Sequence, residues 1–473
     1  MTSTTEERGL SITPAYQLAE MIRSKQLSPV ELMEITFKRI KEINPKLNAY
    51  LTLAEEEAMK GAREAEEGIN TGANMRLLHG IPISIKDLVA TKGIRTTMGS
   101  LAYKDFIPDT EGTMVQRLKA AGAIIVGKTN APEFGLACST ENKLGDPCRN
   151  PWNTKRTPGG SSGGAAASVA AGISPLAQGS DGGGSTRIPV CFCGVFGLKG
   201  SYGRVPKDVQ PWGLSNVSCL DPITKCVKDA ALMMNVMAGP DGLDYSCIRT
   251  APPDFLRALD GGLRKLRIAW SPDMGYGVKV DPEVKSAVEA AVRVFAEMGH
   301  EVEEAAPATG EPFELWDVLV SARFYLPFGF VLEKHADEIM DYTKLAMECA
   351  RDLSGVELSK AWAQLERLRG RMLDFFQNYD LLMIPTTAVP AFPIGQKSRG
   401  LGRGFVDWDF IPFTCVFNLT GNPAATVPCG FSSDGLPIGL QIVGRLEDEV
   451  TILRASAVFE EARPWAHKRP PVS

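Results

Sequence analysis

Glycine is concentrated in one part of the chain. Of the 46 glycines, 17 fall between Gly122 and Gly203, a window of 82 residues in a chain of 473. Because glycine has no side chain, the backbone there can adopt left-handed angles and approach neighbouring groups closely. The glycine-rich window therefore predicts a region in which the backbone lies close to another part of the protein or to a ligand.

Regular elements surround this window and predict an α/β fold. Ile81 to Ile85 is typical of a buried strand, Thr113 to Ala121 of a helix, and Ala123 to Val126 of a second strand. This order indicates layers of sheet and helix. We find no internal repeat and no flexible linker, so we expect one large domain. Pro206 to Pro211 is where a boundary could fall.

The N-terminal part of the chain predicts two helices. The first begins at Ser28, whose hydroxyl can cap a helix, with Pro29 at the first helical position and Glu31 able to reach back. An apolar stripe follows at helical spacing and ends near Asn44 and Pro45. It comprises Val30, Met33, Phe37, Ile40 and Ile43. A second, charged helix from Glu55 to Glu67 is expected on the outside of the body.

The last part of the chain is again regular. Helices are predicted at 284–298, 358–376 and 447–461. Apolar runs predict strands at 381–385, 424–428 and 438–443.

Composition excludes several classes of protein. The chain has 51 basic and 56 acidic residues, a net charge of -5 and no basic block, which argues against nucleic acid as a partner. The longest uncharged run, Thr157 to Ser180, consists mainly of small residues and is unsuited to a membrane span. The first residues are polar and unlike a signal peptide. We therefore predict a cytoplasmic protein that binds neither membranes nor nucleic acid.

The cysteine and histidine pattern predicts no metal site and no disulfide framework. The ten cysteines form no CxxC pair, and the four histidines are far apart in the sequence. We expect reduced, mostly buried thiols and no cofactor.

Lys86 is the first candidate for chemistry. It ends the predicted strand and is followed by Asp87. A buried lysine has a lowered pKa, and its neutral amine is then a base. A lysine that simply reaches water from a strand end is the structural alternative.

Two glycine-serine segments are the other candidates. The first, Pro158 to Gly164, contains a G-x-S-x-G pattern, but residues 153–157 before it do not form the strand that a nucleophile elbow requires. A glycine-rich turn is its structural alternative. In the second, Gly179 to Arg187, three glycines precede Ser185, so backbone N–H groups could hold an oxyanion beside a serine nucleophile. A phosphate-binding loop and a tight turn remain as alternatives.

Together and in this order, Lys86 and the two serine segments resemble the amidase signature family. The resemblance extends from Ser28 to Gln441 and includes the segment Gly127 to Gly135. It implies a mixed central sheet flanked by helices. The parts it implies are N-terminal helices at 10–70, a catalytic core at 75–205, a variable specificity region at 206–375 and a return to the core at 376–465.

The resemblance also implies residue roles. Ser185 matches the nucleophile, Ser161 the serine that follows a cis peptide bond, and Lys86 the base of a Ser-cisSer-Lys triad. Gly182, Gly183 and Gly184, with the N–H of Ser185, match the oxyanion hole. Asp181 and Arg187 are expected to support the site. Leu136, Ala137 and Cys138 match the wall of the substrate pocket.

The resemblance implies an amidohydrolase that forms an acyl-enzyme. Its substrate is expected to be a small aryl or aliphatic amide, and carbamates and esters are further candidate substrates. A homodimer is one candidate for the oligomeric state. Trp212 and the aromatic residues from Phe324 to Phe330 could line an apolar pocket, although core packing is the simpler role of such residues. The glutaminase subunit of a tRNA-dependent amidotransferase is the alternative enzyme, and a non-catalytic scaffold is the alternative of another class.

Overall fold

A central mixed sheet organises the molecule. The computed structural model describes residues 9–72, 75–207, 217–398 and 400–472. Its strands are β1 (Tyr50–Leu53), β2 (Pro82–Lys86), β3 (Ile124–Thr129), β4 (Leu176–Asp181), β5 (Phe196–Lys199), β6 (Cys219–Thr224), β7 (Arg267–Trp270), β8 (Glu301–Glu304), β9 (Leu381–Pro385), β10 (Ala424–Phe431) and β11 (Pro437–Gly444).

Helices cover this sheet. They are α1 (Ala15–Arg23), α2 (Pro29–Leu47), α3 (Glu55–Asn70), α4 (Thr113–Ala120), α5 (Gly163–Ala170), α6 (Arg187–Cys193), α7 (Val227–Met237), α8 (Phe255–Ala258), α9 (Pro282–Glu297), α10 (Phe313–Phe328), α11 (Phe330–Lys334), α12 (Asp341–Arg351), α13 (Gly355–Asn378), α14 (Cys415–Thr420) and α15 (Glu449–Ala462). In the part of the chain described, no helix is long and apolar enough to cross a bilayer.

The strand order is β1-β3-β2-β4-β6-β5-β10-β11-β9-β7-β8. Strand β2 pairs in parallel with β3 and β4, whereas β4 pairs with β6 in antiparallel orientation. The pairing of β5 with β10 joins strands from the first half of the chain to strands from its end. The predicted α/β fold with a mixed sheet is confirmed.

The capped N-terminal helix is confirmed at its start and extended at its end. Ser28 Oγ accepts hydrogen bonds from the N–H groups of Val30 (3.0 Å) and Glu31 (3.3 Å). The helix ends at Leu47 rather than near Pro45, which lies within it. A proline in the last turn forfeits a single helical hydrogen bond, so the helix continues and is closed by Asn48 in the left-handed conformation.

Other predicted elements are confirmed with shifted ends. Strand β9 matches 381–385, and β10 and β11 are longer than the predicted runs. The final helix begins at Glu449 because Asp448 caps it by accepting from the N–H of Thr451 at 3.2 Å. All ten cysteines are free, and all except Cys349 and Cys429 are buried.

Helix α5 is buried along its whole length. Its sequence contains only glycine, alanine, serine and valine, and every one of its residues is buried. A Cβ atom on Gly164 would lie 2.4 Å from the carbonyl oxygen of Ala49 and 2.5 Å from the backbone nitrogen of Asn130. Small residues therefore let this helix approach the sheet and fix the position of the serines that precede it.

Candidate active site

The carboxyl ends of two neighbouring parallel strands bring the predicted residues together. Strand β2 ends at Lys86 and β4 ends at Asp181, with Ile85 opposite Gln178 in the ladder. Such ends meet at one edge of a sheet. The N–H of Ser162 donates to the C=O of Ser185 at 3.0 Å, so the two serine segments are joined directly.

Lys86 lies inside a ring of serine hydroxyls. Its Nζ is 2.8 Å from the Oγ atoms of Ser161 and of Ser162, and 3.1 Å from that of Ser180. The side chain is fully buried. The peptide bond between Gly160 and Ser161 is cis. The side chain of Lys86 therefore points into the protein toward Ser161 and does not reach water, which excludes its structural alternative.

Burial also changes the acidity of this lysine. Loss of hydration lowers the pKa of Lys86 to about 7, although the negative charges of Asp181 and Asp221 act in the opposite direction. A large fraction of the amine is therefore neutral at physiological pH. A neutral amine has two N–H donors and one lone pair, which suits it to accept a proton from one of its hydroxyl neighbours.

Ser162 and Ser180 complete the surroundings of Lys86, and sequence reasoning did not single them out. The Ser162 hydroxyl donates to the C=O of Ser180 at 3.2 Å, so its oxygen is left to accept from Lys86. Both serines lie inside the two segments that were recognised. Their positions beside Ser161 and Asp181 were the available signal.

The loop from Gly182 to Ser185 presents backbone amides to a cavity. Gly182, Gly183 and Ser185 line the cavity together with Ser161. Within the described residues, the N–H groups of these three and the Ser185 hydroxyl form no hydrogen bond. They are available to a bound molecule.

Gly184 differs from Gly182 and Gly183 because its N–H is bonded within the protein. Its N–H donates to Asp181 Oδ1 at 2.7 Å, so this amide is already used inside the protein. Its φ is +125°, and a Cβ atom would lie 2.3 Å from Thr414 Oγ1. Glycine is therefore required here by the backbone angle and by the lack of space.

Asp181 and Arg187 form a buried ion pair behind the loop. Arg187 Nε lies 2.9 Å from Asp181 Oδ2, and Nη2 lies 2.8 Å from Oδ1. Burial disfavours ionisation of Asp181, but the charge of Arg187 outweighs it and holds the pKa of the carboxyl well below its usual range. Asn418 and Gln441 accept two further hydrogen bonds from the guanidinium. The pair holds the carboxylate that binds the amide of Gly184.

We expect Arg187→Met to lower the free energy of unfolding by about 3–5 kcal/mol, because it leaves the charge of Asp181 buried and without its ion-pair partner. Chemical denaturation followed by tryptophan fluorescence would measure this change. Arg351→Met removes an exposed arginine that pairs with Asp352 at 3.2 Å and should change stability by less than about 0.5 kcal/mol. Equal effects of the two substitutions would contradict a stabilising role of the buried pair.

The cavity in front of Ser185 has a volume of about 220 Å³ and is largely apolar. Aromatic side chains form much of its wall, with Phe134 stacked on Phe328 at 4.3 Å and Trp316 edge-on to Trp408 at 4.9 Å. Lys207, Asp244 and Arg323 line it as well. The cavity therefore combines a broad apolar surface with a polar region.

The three residues that match the pocket wall of the family border this cavity. Leu136, Ala137 and Cys138 all line the cavity. Burial raises the pKa of the Cys138 thiol well above its usual range, so this cysteine is a poor nucleophile near neutral pH. Phe324 and Phe328 also line the cavity.

Two members of the predicted aromatic group, Tyr325 and Phe330, do not line the cavity. Tyr325 lies near the end of α10, and Phe330 begins the next helix, α11. Trp212 lies outside the described residues. Trp316 and Trp408 line the cavity but were not predicted, because no local motif marks them.

A family model described as Amidase matches residues 31–453. The chain belongs to the amidase signature family. It is 39% identical over 476 residues to an acylamidase of Rhodococcus erythropolis, with 98% of each chain covered. It is 38% identical over 481 residues to one component of the glutamyl-tRNA(Gln) amidotransferase of Bacillus velezensis, its A subunit, with 96% of this chain and 98% of the relative covered.

A solved structure shows the same architecture. The chain is 32% identical to a bacterial aryl acylamidase described as belonging to the amidase signature enzymes, with a TM-score of 0.89 and 96% and 97% of the two chains covered. The chain is therefore an amidohydrolase of the amidase signature family. Its relatives include, at similar identity, both an acylamidase and a component of an amidotransferase, so membership alone leaves the substrate open.

Proposed function

We propose that this protein is a stand-alone amidase that cleaves aryl or other apolar amides through an acyl-enzyme on Ser185. The observation that carries the proposal is the contact of 2.8 Å between the buried amine of Lys86 and Ser161 Oγ, because Ser161 and Ser185 both line one largely apolar cavity. Lys86 can thus serve as the base and Ser161 as the proton relay, and Ser185 borders the same cavity as the nucleophile.

The proposed reaction begins with proton transfer. Neutral Lys86 takes a proton from the Ser161 hydroxyl, and Ser161 takes one from Ser185, whose oxygen then attacks the amide carbon. Donation of the Lys86 N–H groups to Ser162 and Ser180 directs the lone pair toward Ser161. When the C–N bond breaks, Ser161 returns a proton to the leaving amine. Water then attacks the ester carbon of the acyl-enzyme and releases the acid.

Backbone amides are proposed to hold the negative charge that develops on the substrate oxygen. The N–H groups of Gly182, Gly183 and Ser185 are unpaired within the described residues and border the cavity. The sequence pattern also suggests Gly184 as a donor, but its N–H already donates a hydrogen bond to Asp181. We propose instead that Gly184 determines the shape of the loop.

The cavity wall supports an aromatic or bulky apolar substrate. Phe134, Phe324, Phe328, Trp316 and Trp408 surround the space next to Ser185. Aromatic rings gain free energy by packing against such walls. Three further residues line the same cavity and are proposed to contact the substrate: Leu136, Ala137 and Cys138. Carbamates and esters present the same carbonyl to Ser185 and are proposed as further substrates.

The glutaminase subunit of an amidotransferase remains a second candidate because of the relative that is 38% identical over 481 residues. Glutamine is small and polar, so it would leave most of the aromatic wall in contact with water. The lining of the cavity therefore favours the amidase.

The test is release of 4-nitroaniline from its acetyl, benzoyl and carbamate derivatives, with release of ammonia from glutamine measured in parallel. We expect the benzoyl anilide to be turned over, and the activity to disappear in Ser185→Ala. Turnover of glutamine alone would contradict the proposal and favour the role in an amidotransferase. Absence of turnover with every compound would also contradict it.

We expect kcat/KM to rise with pH. Because the neutral form of Lys86 is the active one and its pKa lies at about 7, activity should increase about tenfold per pH unit below pH 7 and level off above about pH 8. Initial rates with benzoyl-4-nitroanilide across this range would measure the profile. A flat profile from about pH 5 to 9, with chemistry shown to limit the rate, would exclude Lys86 as the base.

A further inference from the structure

The loop that carries the proposed oxyanion donors is held from behind by side chains that bind its carbonyl oxygens. Asn418 Nδ2 donates to the C=O of Asp181 at 2.8 Å. Trp316 Nε1 donates to the C=O of Gly182 at 2.8 Å, and Thr414 Oγ1 donates to the C=O of Gly183 at 2.6 Å. Successive peptide units are thus each fixed by a separate donor.

Each of these bonds also fixes the direction of an N–H group. In a planar trans peptide the C=O of one residue and the N–H of the next point in opposite directions. The bond from Trp316 to the C=O of Gly182 therefore sets the direction of the N–H of Gly183. A hydrogen bond to the carbonyl also polarises the peptide, which makes its N–H a stronger donor.

Trp316 alone among these three side chains also lines the cavity. It is nearly buried, at 6% exposure, and packs so closely on the loop that a Cβ atom on Gly183 would lie 2.8 Å from its Cζ2. It lies on α10, in the region predicted to set specificity. Trp316 thus borders the cavity while its N–H binds the loop from Gly182 to Ser185.

We propose that Trp316 is a positioning residue for catalysis, which aligns the N–H of Gly183 with the substrate oxygen in addition to forming the cavity wall. This inference rests on the proposed function, since it assumes that Ser185 is acylated. A residue that only forms a wall would affect substrate binding. A residue that aligns an oxyanion donor affects the transition state more than the bound substrate.

The test is Trp316→Phe, which keeps an aromatic ring in the wall and removes the N–H donor. With benzoyl-4-nitroanilide we expect kcat to fall about 10- to 100-fold, while KM and the inhibition constant of benzoate change by less than about threefold. Loss of kcat without loss of ground-state binding is a signature that a wall residue would not give.

The matched control is Trp152→Phe. Trp152 Nε1 also donates to a backbone carbonyl at 2.8 Å, that of Cys193, but Trp152 does not line the cavity. This substitution should leave kcat and KM unchanged. It removes the same chemical group from the same kind of bond at another place.

A second variant at the same position keeps the inference testable if Trp316→Phe does not fold. Replacement of Trp316 by 3-benzothienylalanine puts sulfur in place of the indole N–H at nearly constant volume, so it removes only the donor that binds the C=O of Gly182. We expect kcat to fall about tenfold in this variant, while KM changes by less than about threefold. Thermal unfolding of each variant would show that it is folded.

The outcomes separate the two proposals. If the native enzyme turns over the anilide in a manner that depends on Ser185, but Trp316→Phe alters only KM, Trp316 is merely a wall residue and the inference is overturned. Unchanged kcat in Trp316→Phe, or in the variant with benzothienylalanine at position 316, also overturns it. If the native protein turns over no amide, the proposed function itself fails and the inference fails with it.

Discussion

Ser185→Ala should lower kcat/KM for amides by about 10⁴-fold or more, the largest effect expected of any substitution in this chain. The change removes the oxygen that attacks the substrate and leaves the other members of the site in place. The thiol of Cys138, which lines the same cavity, should not replace it, because burial keeps that thiol protonated. Anilide turnover by the purified variant measures the loss.

A covalent probe gives an independent measurement of the same prediction. A fluorophosphonate should add one phosphonyl group to native enzyme at Ser185, as located by mass spectrometry of peptides, and none to Ser185→Ala. Ser359→Ala is the control, since Ser359 is exposed on α13 and should leave both labelling and turnover unchanged. An adduct on another residue, or turnover that survives in Ser185→Ala, would show that the nucleophile lies elsewhere.

Lys86→Met should reduce kcat by about 10³- to 10⁴-fold. Methionine is unbranched and of similar length, so it can occupy the space, but it has no lone pair basic enough to take a proton from Ser161. The rate of labelling by the fluorophosphonate reports formation of the covalent bond itself, and it should fall together with kcat. The residual activity should lose the rise with pH that is expected of the native enzyme.

Lys128 provides a matched control for this substitution. It is buried like Lys86, and loss of hydration lowers its pKa as well, although the charge of Asp87 acts in the opposite direction. Its Nζ binds Thr91 Oγ1 at 2.7 Å rather than a serine of the site. Lys128→Met should lower stability, because it leaves buried acceptors unpaired, while its remaining activity keeps the native pH dependence. Native activity in Lys86→Met, or a flat pH profile in Lys128→Met, would show that Lys86 is not the base.

The parts of this site that could be predicted from sequence are those coded locally. Lys86 stands at the end of a recognisable strand, and Ser161 and Ser185 lie within long glycine-serine segments. The cap at Ser28 is equally local, because the hydroxyl and the amides it binds are two and three residues apart. Local patterns also have a limit: Pro45 predicts the end of helix α2, but a proline in the last turn does not stop the helix, which ends at Leu47.

The parts that could not be predicted depend on contacts between distant segments. Thr414 binds the C=O of Gly183 across 231 positions of sequence, and Trp316 binds that of Gly182 across 134. A tryptophan within a helical segment is usually interpreted as a core residue, because the sequence does not show which group its N–H binds. The use of the Gly184 amide by Asp181 is local, yet it depends on backbone angles that a run of identical glycines does not specify.

The residues proposed to carry out the chemistry and some of the residues that line the cavity belong to different parts of the fold. This difference bears on how the enzyme could acquire new substrates. Lys86 and the loop before Ser185 are carried by paired strands whose spacing is fixed by the ladder, whereas Val320, Phe324 and Val406 belong to a helix and a loop outside the sheet. A library that varies these three positions should shift substrate range while the chemistry is retained. Trp316 lies on α10 like Val320 and Phe324, but its N–H binds the C=O of Gly182. A library that also varies Trp316 should therefore lower kcat when it changes substrate selectivity at that position.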